Sequence, residues 1–342
     1  MKTNKSNIFL IVLLAFLVFY FVICNNVFAY ESETNVCLCD SCSDCTKALN
    51  DSVNCSSGVK LNTSLTNLTD VCIRSPEIAN KYFDCQGHAI KAKETQSSEI
   101  WGIIVYGKNI TIKNCEISGF RGGINLISSS NNTLINNTIH LNDIGIRLYG
   151  NSNYNNITGN KIFNNIKTGI LMDNCACVKF TCSTPIGGNT VSCYCTSYNC
   201  SDNFGNSNNT IGDNEILNNK IGIFSNSSNS IINRNAVCGN TQLDFNSSDW
   251  LSSYGDNNTC NNSDGWNDTR KTGCTLSCSS LCNPYDLDNN HVIDIFDVVT
   301  GLEYLSGERN QIFNEECSAR DKVKIDFIDL LTLISKIGAD EI

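Results

Sequence analysis

Between Trp101 and Phe245 the chain repeats itself, and the repeat limits the fold more than any other feature. One segment recurs as Gly followed by alternating apolar residues: Gly102-Ile103-Ile104-Val105, Gly123-Ile124-Asn125-Leu126, Gly145-Ile146-Arg147-Leu148, Gly169-Ile170-Leu171-Met172 and Gly222-Ile223-Phe224. A second recurs as apolar, Asn, apolar: Leu134/Asn137/Ile139, Ile157/Asn160/Ile162, Ile211/Asn214/Ile216 and Ile232/Asn235/Val237. Ile112/Cys115/Ile117 is an earlier copy with Cys in the Asn place, and successive copies lie 22, 23, 54 and 21 residues apart. The long interval contains an extra block, residues 175–207.

Each copy holds short period-2 strands between Asn, Ser and Gly turns, with no helical stretch. One such unit cannot bury an apolar face alone, whereas copies stacked at about 4.8 Å per rung enclose a continuous core. Asn at one place in consecutive rungs predicts a side-chain amide ladder, each amide donating to the next and accepting from the last. The pattern predicts an all-β, right-handed parallel β-helix. A leucine-rich horseshoe lacks this rhythm, and a β-sandwich would not hold so regular a register.

Asn is the compositional outlier, with 51 of 342 residues, and Cys follows with 21. So many thiols exclude an ordinary cytosolic enzyme. Lys2 and Lys5, the apolar run from Ile8 to Ile23 and the exit at Ala29 read as a secretory signal peptide, residues 1–29. Its removal takes Cys24 with it and leaves 20 Cys, an even number, as a disulfide framework requires. The mature charge becomes −12, from 22 basic and 34 acidic residues, and residues 283–342 account for −8 of it. That balance excludes nucleic acid as a partner, because phosphate binding needs a basic face. Contact with a membrane is expected only during export, and the localisation is extracellular or at the cell surface.

Cys37, Cys39, Cys42, Cys45 and Cys55 have a spacing that could hold zinc or an iron–sulfur cluster; export favours disulfides. The extra block carries Cys175, Cys177 and Cys182, then Cys193, Cys195 and Cys200 at the same spacing. It reads as a stapled loop projecting from one rung, either a recognition loop or a decorated surface loop.

Phe83-Asp84-Cys85-Gln86-Gly87-His88-Ala89-Ile90, then Asn109-Ile110-Thr111-Ile112-Lys113-Asn114-Cys115, then the Asn-Asn-Thr rungs, resemble archaeal secreted β-helix proteins. These are grouped with the periplasmic copper-binding, nitrous-oxide-reductase accessory family. The stretch from Asn258-Thr259-Cys260 through Trp266 to Cys274 and Cys278 is similar to the segment that closes such helices. The resemblance covers about residues 55–280 and implies a fold more than a function. Cys85 and Cys115, at the same point of the family motif, are expected to bridge neighbouring rungs.

Catalysis by a β-helix of the polysaccharide lyase or hydrolase kind needs clustered carboxylates on one face. Asp143, Asp173, Asp202 and Asp213 are scattered singly. Asp84 and His88 fall within one rung and Glu116 in the next, which makes them the only weak catalytic candidates; a structural first-rung motif explains them as well. Copper transfer would have to use His88, His140 and Met172, which are few and far apart in sequence.

Residues 286–297 read Asp-Leu-Asp-Asn-Asn-His-Val-Ile-Asp-Ile-Phe-Asp. In a twelve-residue calcium loop, oxygen ligands stand at positions 1, 3, 5, 7, 9 and 12. Those places are held by Asp286, Asp288, Asn290, Val292 (through its carbonyl), Asp294 and Asp297. His291 takes the sixth position, where Gly usually makes the turn. A helical pattern follows, and Asp at the last position without a preceding helix resembles a dockerin module, which binds cohesin-type domains. A second copy, Asp326-Phe327-Ile328-Asp329, lies 32 residues on, with Ser318, Arg320 and Lys322 at its early ligand positions. One Ca²⁺ site is therefore expected.

The expected organisation is a signal peptide (1–29), a Cys-rich segment (30–56), a β-helix (57–258) interrupted by 175–207, a Cys-rich linker (259–282) and a dockerin-like domain (283–342). The expected function is glycan or surface binding along a rung face, with docking through the tail; a polysaccharide lyase or hydrolase and a structural adhesin or surface-layer component are the alternatives. Fifteen Asn-x-Ser/Thr sites follow the signal, and those on turns are expected to carry glycans.

Overall fold

The computed structural model describes residues 31–33, 35–75, 79–93, 100–173, 176–183, 192–199, 206–247, 250, 252–278, 285–287, 293, 295–309, 312 and 325–340, with backbone alone at 31–33, 75, 176–183, 192–199, 336 and 338–340. The signal-peptide reading lies outside these residues.

Each repeat forms three short strands, and equivalent strands of successive repeats pair in parallel and in register. The result is an all-β, right-handed parallel solenoid of about seven turns. Sheet A contains Lys108–Lys113, Thr133–Ile135, Asn156–Thr158, Thr210–Gly212 and Ile231–Asn233, extended toward the N-terminus by Ala79–Asp84, Gly58–Leu61 and Val36–Cys39. Sheet B contains Leu65–Leu68, Ala89–Ala92, Glu116–Ser118, Thr138–His140, Lys161–Phe163, Glu215–Leu217 and Ala236–Cys238. Sheet C contains Ile73–Ser75, Trp101–Val105, Gly122–Ile127, Ile144–Tyr149, Thr168–Asp173, Ile221–Ser225 and Leu243–Asn246.

Alternation along each strand sends one set of side chains inward. Leu134, Ile157, Ile211 and Ile232 stack from sheet A, Ile117, Ile139, Ile162 and Ile216 from sheet B, and Ile124, Ile146, Ile170 and Phe245 from sheet C, all 0% exposed. The recurrent Gly of the sequence has a steric origin. A Cβ on Gly145 would lie 2.6 Å from the carbonyl oxygen of Gly169 one rung on and 2.6 Å from the Ile162 side chain.

Three amide ladders, rather than the one expected, run through the corners. In the ladder anticipated from the repeat, Asn137 donates its side-chain nitrogen to Asn160 Oδ1 at 2.9 Å, Asn160 to Asn214 at 3.0 Å, Asn214 to Asn235 at 2.9 Å and Asn235 to Asn258 at 3.1 Å. A second joins Asn142, Asn165, Asn219 and Asn240, and a third joins Asn132, Asn155 and Asn209. Each nitrogen also donates to a carbonyl of the rung below, as Asn137 does to Ile112 at 3.1 Å. These bonds satisfy amides that are otherwise costly to bury.

Both ends of the solenoid are closed. At the N-terminal end sits a helix the repeat pattern did not anticipate, α1 (Cys42–Asn50), whose Ser41 cap accepts the Asp44 amide at 3.2 Å. Cys37–Cys55, Cys39–Cys45 and Cys42–Cys72 are disulfides, so the Cys-rich opening is a covalent cap. Lys81 is 8% exposed and donates to the carbonyls of Leu49 and Asp51 at the end of α1. Burial holds its ammonium below the usual lysine range, against the raising effect of Asp51. The expected Cys85–Cys115 bridge joins neighbouring rungs with a Cα separation of 4.7 Å. At the other end, Cys238–Cys278 and Cys260–Cys274 tie the closing segment down, and Trp266 stacks on Phe245 at 5.4 Å.

The insertion forms an antiparallel hairpin of Ala176–Ser183 and Ser192–Asn199. At its base Asn206 donates to the Asp173 carbonyl at 2.8 Å. Its Cys side chains lie outside the described residues.

In the tail, helices α2 (Ile295–Ser306) and α3 (Phe327–Asp340) pack around Leu287, Val298, Ile312, Ile325, Leu330 and Leu333. Gly301 permits the close approach, since a Cβ there would lie 2.3 Å from Leu330. Among the described residues no helix is long and apolar enough to cross a membrane.

Candidate functional site

Asp84 and His88 fall in one rung and Glu116 in the next, but their side chains meet different partners. Asp84, on sheet A and 8% exposed, accepts from Asn114 Nδ2 and from the Gln86 amide, both at 2.9 Å, and lies 3.3 Å from Lys113 Nζ. Burial alone would raise its carboxyl, but these donors outweigh it and hold the group below the usual carboxylate range. A general acid needs the opposite shift. Glu116 instead lies on sheet B, 3.3 Å from His140 Nε2. His88 sits in the turn between them, where its amide donates to Cys85 and its carbonyl accepts from Glu116.

The other acids are paired with cations of neighbouring rungs. Asp143 meets Lys167 at 2.8 Å, Asp173 meets Arg147 at 2.6 Å and Asp213 meets Arg234 at 2.6 Å. The Arg234 hydrogen bonds, opposed by some burial, hold the Asp213 carboxyl below its ordinary range. Asp202 lies outside the described residues. Among those described, no three His, Cys, Asp or Glu side chains converge as a metal site would need. His140 faces outward on sheet B while Met172 is fully buried, so the residues considered for copper do not meet.

The three outer faces differ in character. Sheet A presents a row of Thr111, Thr133, Asn156 and Thr210 in register. Sheet C presents Ile104, Asn125 and Arg147, of which Ile104 and Asn125 are only 5% and 4% exposed although strand alternation turns them away from the core. Arg147 lies over the Tyr149 ring at 4.3 Å.

Sheet B is two-sided in its chemistry. One outward row runs Glu116, Thr138, Lys161, Glu215, and the next runs Ser118, His140, Phe163, Leu217. Lys161 and Glu215 pair at 3.5 Å, and His140 stacks on Phe163 at 5.0 Å with planes 5° apart. Leu141 and Ile166, 57% and 67% exposed, widen the apolar row at the corner toward sheet C. A hydrogen-bonding row thus runs beside an apolar row, both stepping at about 4.8 Å.

In the tail, Asp286 and Asp297 are described and both are fully buried. Asp297 Oδ1 accepts the amide of Leu287 at 2.5 Å, which ties the last position of the loop to its second. Asp288, Asn290, Val292, Asp294 and His291 lie outside the described residues, as do Ser318, Arg320 and Lys322. The second copy is tied differently: Asp326 Oδ1 accepts the amides of Ile328 and Asp329 at 2.7 and 3.0 Å, and Asp329 Oδ2 accepts the Asp326 amide at 2.9 Å. This is a reciprocal helix cap.

The helices also carry a feature that sequence reasoning passed over. Ile295, Phe296, Val299 and Leu302 on α2 are matched 32 positions on by Phe327, Ile328, Leu331 and Ile334 on α3, and all eight are 44–63% exposed. The signal was present in the alignment of the two copies, whose buried Val298 and Leu330 share the same offset.

The family described as right handed beta helix region matches residues 54–202. No curated protein matches the chain. Among solved structures, the alginate lyase from Paenibacillus sp. str. FPU-7 is 14% identical with a TM-score of 0.44, over 66% of this chain and 75% of that one. The periplasmic alginate epimerase AlgG is 15% identical with a TM-score of 0.45, over 64% and 49%. DFA-IIIase from Arthrobacter chlorophenolicus A6 is 12% identical with a TM-score of 0.38, over 61% and 49%. Residues 54–202 are thus similar to the right handed beta helix region family, in keeping with the parallel solenoid that they help to build.

Proposed function

We propose that this is an exported β-helix that holds an extended glycan on sheet B without transforming it, and that its tail docks it to a cohesin-type domain in a Ca²⁺-dependent manner. The observation that carries the reading is the duplicated apolar ridge on α2 and α3. Eight large side chains left half-exposed in a unit this small are unusual for a surface with no partner. Their twofold repetition offers equivalent faces on two helices. Export is supported by the six disulfides among the described residues, which persist only in an oxidising compartment.

Calcium fits the loop. Two carboxylates, Asp286 and Asp297, are buried at its ends, and carboxylate oxygens at the first and last loop positions are the hard ligands that calcium takes. Asp286, Asp288, Asn290, the Val292 carbonyl, Asp294 and Asp297 would hold the ion. Bound calcium supplies positive charge that neutralises these oxygens and fixes the start of α2.

For the solenoid, the paired rows of sheet B suit a polymer with hydroxyl edges and a C–H ridge. Its central Lys161 is matched by Glu215, and Glu116 lies beside His140, so a neutral polysaccharide suits it better than a polyanion. Titration calorimetry of the full chain against a panel of cohesin-type domains, with Ca²⁺ and with EDTA, tests docking. Binding lost in EDTA and in Phe296→Ala/Phe327→Ala is expected. Equal binding in EDTA, or none in Ca²⁺, would sink the docking reading. Retention on immobilised neutral polysaccharides tests the other half.

A further inference from the structure

We propose that the solenoid carries N-linked glycans at Asn109, Asn131, Asn136, Asn208 and Asn257, on the two corners that border sheet A. The proposal rests on the reading that the chain is exported. All five stand at corners in the left-handed region, with φ of 56°, 58°, 54°, 55° and 56°, and each is followed two residues on by Thr. Four are exposed and Asn208 is half-exposed.

The fold itself explains why this motif recurs. A left-handed corner favours Asn or Gly, the next position must be a ladder amide, and the one after opens a strand, where a β-branched residue is favoured. Asn-Asn-Thr satisfies all three, as at Asn131, Asn136, Asn208 and Asn257. The middle residues Asn132, Asn137, Asn209 and Asn258 are at most 1% exposed.

The Thr is nevertheless not forced. At other corners of the same geometry the third residue is Glu215, Ala236, Ile166 or Lys220, after Asp213, Arg234, Asn164 and Asn218. The corner between sheets B and C, formed by Leu141, Asn164, Asn218 and Gly239, heads no such triplet. Among the rungs stacked by the amide ladders, decoration thus keeps to the borders of sheet A and leaves the apolar row of sheet B clear. Before those rungs, Asn67 (φ 59°, exposed, followed by Thr69) has the same geometry on the first strand of sheet B and would be a further acceptor. Asn156 and Asn246 also begin triplets, but unlike the five neither stands in the left-handed region, and they should remain bare.

In the transfer, the Asn side-chain nitrogen bonds to the anomeric carbon of a lipid-phosphate-linked oligosaccharide. The bond from that carbon to the phosphate oxygen breaks, the lipid phosphate leaves, and one amide proton is released. The remaining N–H lets Asn109 keep its 2.9 Å donation to Asn80.

Glycopeptide mapping of the chain secreted by its own host tests the proposal, with Ile166→Thr alongside. That change gives Asn164 (φ 54°) the missing Thr at a site 67% exposed, so folding should not suffer. Glycan on the five corner peptides is expected, with a further glycopeptide in Ile166→Thr. Bare corner peptides on chain recovered outside the cell would overturn the proposal while leaving export intact. Glycans on Asn156 and Asn246 with bare corners would also overturn it, and occupied natural corners with a bare Asn164 in the variant would refute corner geometry as the selecting feature. Chain found only inside the cell, and bare, would refute export and glycosylation together.

Discussion

Asn258 donates its side-chain amide to Asp268 Oδ1 at 2.7 Å, and with that contact the longest ladder of the solenoid ends on a carboxylate. Every amide below it donates toward the C-terminal end, so the last member must be a group that only accepts. Asp268 is 2% exposed and also takes the amides of Asn258 and Thr275, the Thr275 hydroxyl and the Trp266 indole. The ladder through Asn240 ends in the same way on Asp244, at 2.9 Å.

Replacing Asp268 therefore strands several buried donors at once. Asp268→Ala should lower stability by about 2–4 kcal/mol, read as a fall in the urea midpoint with unchanged m-value. Burial would raise the Asp268 carboxyl, but its donors hold it below the ordinary range. A depressed folded-state pKa contributes stability that is complete above the unfolded value of about 4 and is lost as pH falls through the lower folded value. Asp268→Asn should accordingly flatten the acid limb of the stability curve below about pH 4. An acid limb identical to wild type would show that the ladder cap is not the titrating element.

The Cys85–Cys115 bridge occupies the same column one rung below Asn137, whose Oδ1 accepts the Cys115 amide at 3.1 Å. Disulfide and amide are thus two ways of fastening one corner. Removing the bridge as Cys85→Ala/Cys115→Ala should cost roughly 2–4 kcal/mol. Cys85→Ala/Cys115→Asn should recover about 1 kcal/mol of that by adding a member to the ladder. Equal midpoints for the two double variants would argue against it.

Strand positions between Trp101 and Phe245 and the inward Ile columns were legible because they recur, and period-2 alternation has one meaning in a stacked repeat. The Gly before each Ile was visible too, though its cause, the carbonyl of the next rung, needs the third dimension. The ladders through Asn142 and Asn132 were also legible, since both stand five residues from the anticipated column in the rungs of Asn137, Asn160 and Asn214. Helix α1 was hidden among cysteines, where no hydrophobic period of 3.6 could be read. The separation of Asp84 from Glu116 could not be foreseen, since they lie in successive rungs and only the structure puts them on different sheets. The helices of the tail were legible from their apolar spacing, but which of their apolar residues stay exposed depends on how the two helices pack.

If sheet B holds the polymer, its apolar row should matter more than its charges. Phe163→Ala removes the partner of His140 and the centre of that row. It should weaken retention on immobilised neutral polysaccharide by roughly tenfold, while the outward position limits the effect on thermal stability. Thr133→Ala on sheet A should leave retention unchanged. Loss with Thr133→Ala and not with Phe163→Ala would move the ligand face to sheet A.

The tail should fold around one calcium ion. Asp286 and Asp297 are each buried, one at either end of the loop, with Asp288 and Asp294 between them in sequence. Helix α2 has 12 residues, too few to be stable alone. The second copy is closed by the Asp326–Asp329 cap, which uses both carboxylates as acceptors of backbone amides and needs no cation. Binding favours the folded form by about 2.7 kcal/mol at a hundredfold excess over Kd, and His291 in the turn position should place the affinity at the weak end of roughly 10⁻⁴–10⁻³ M. EDTA should therefore open residues 283–342 to protease while the solenoid stays intact, because its rungs are held by packing, ladders and disulfides. Asp297→Ala should do the same with Ca²⁺ present, since it removes both a ligand and the acceptor of the Leu287 amide. Calorimetry should give a stoichiometry of one. Two sites would mean that the cations at Arg320 and Lys322 do not block the second loop, and an unchanged digest with no heat of binding would remove calcium from the account.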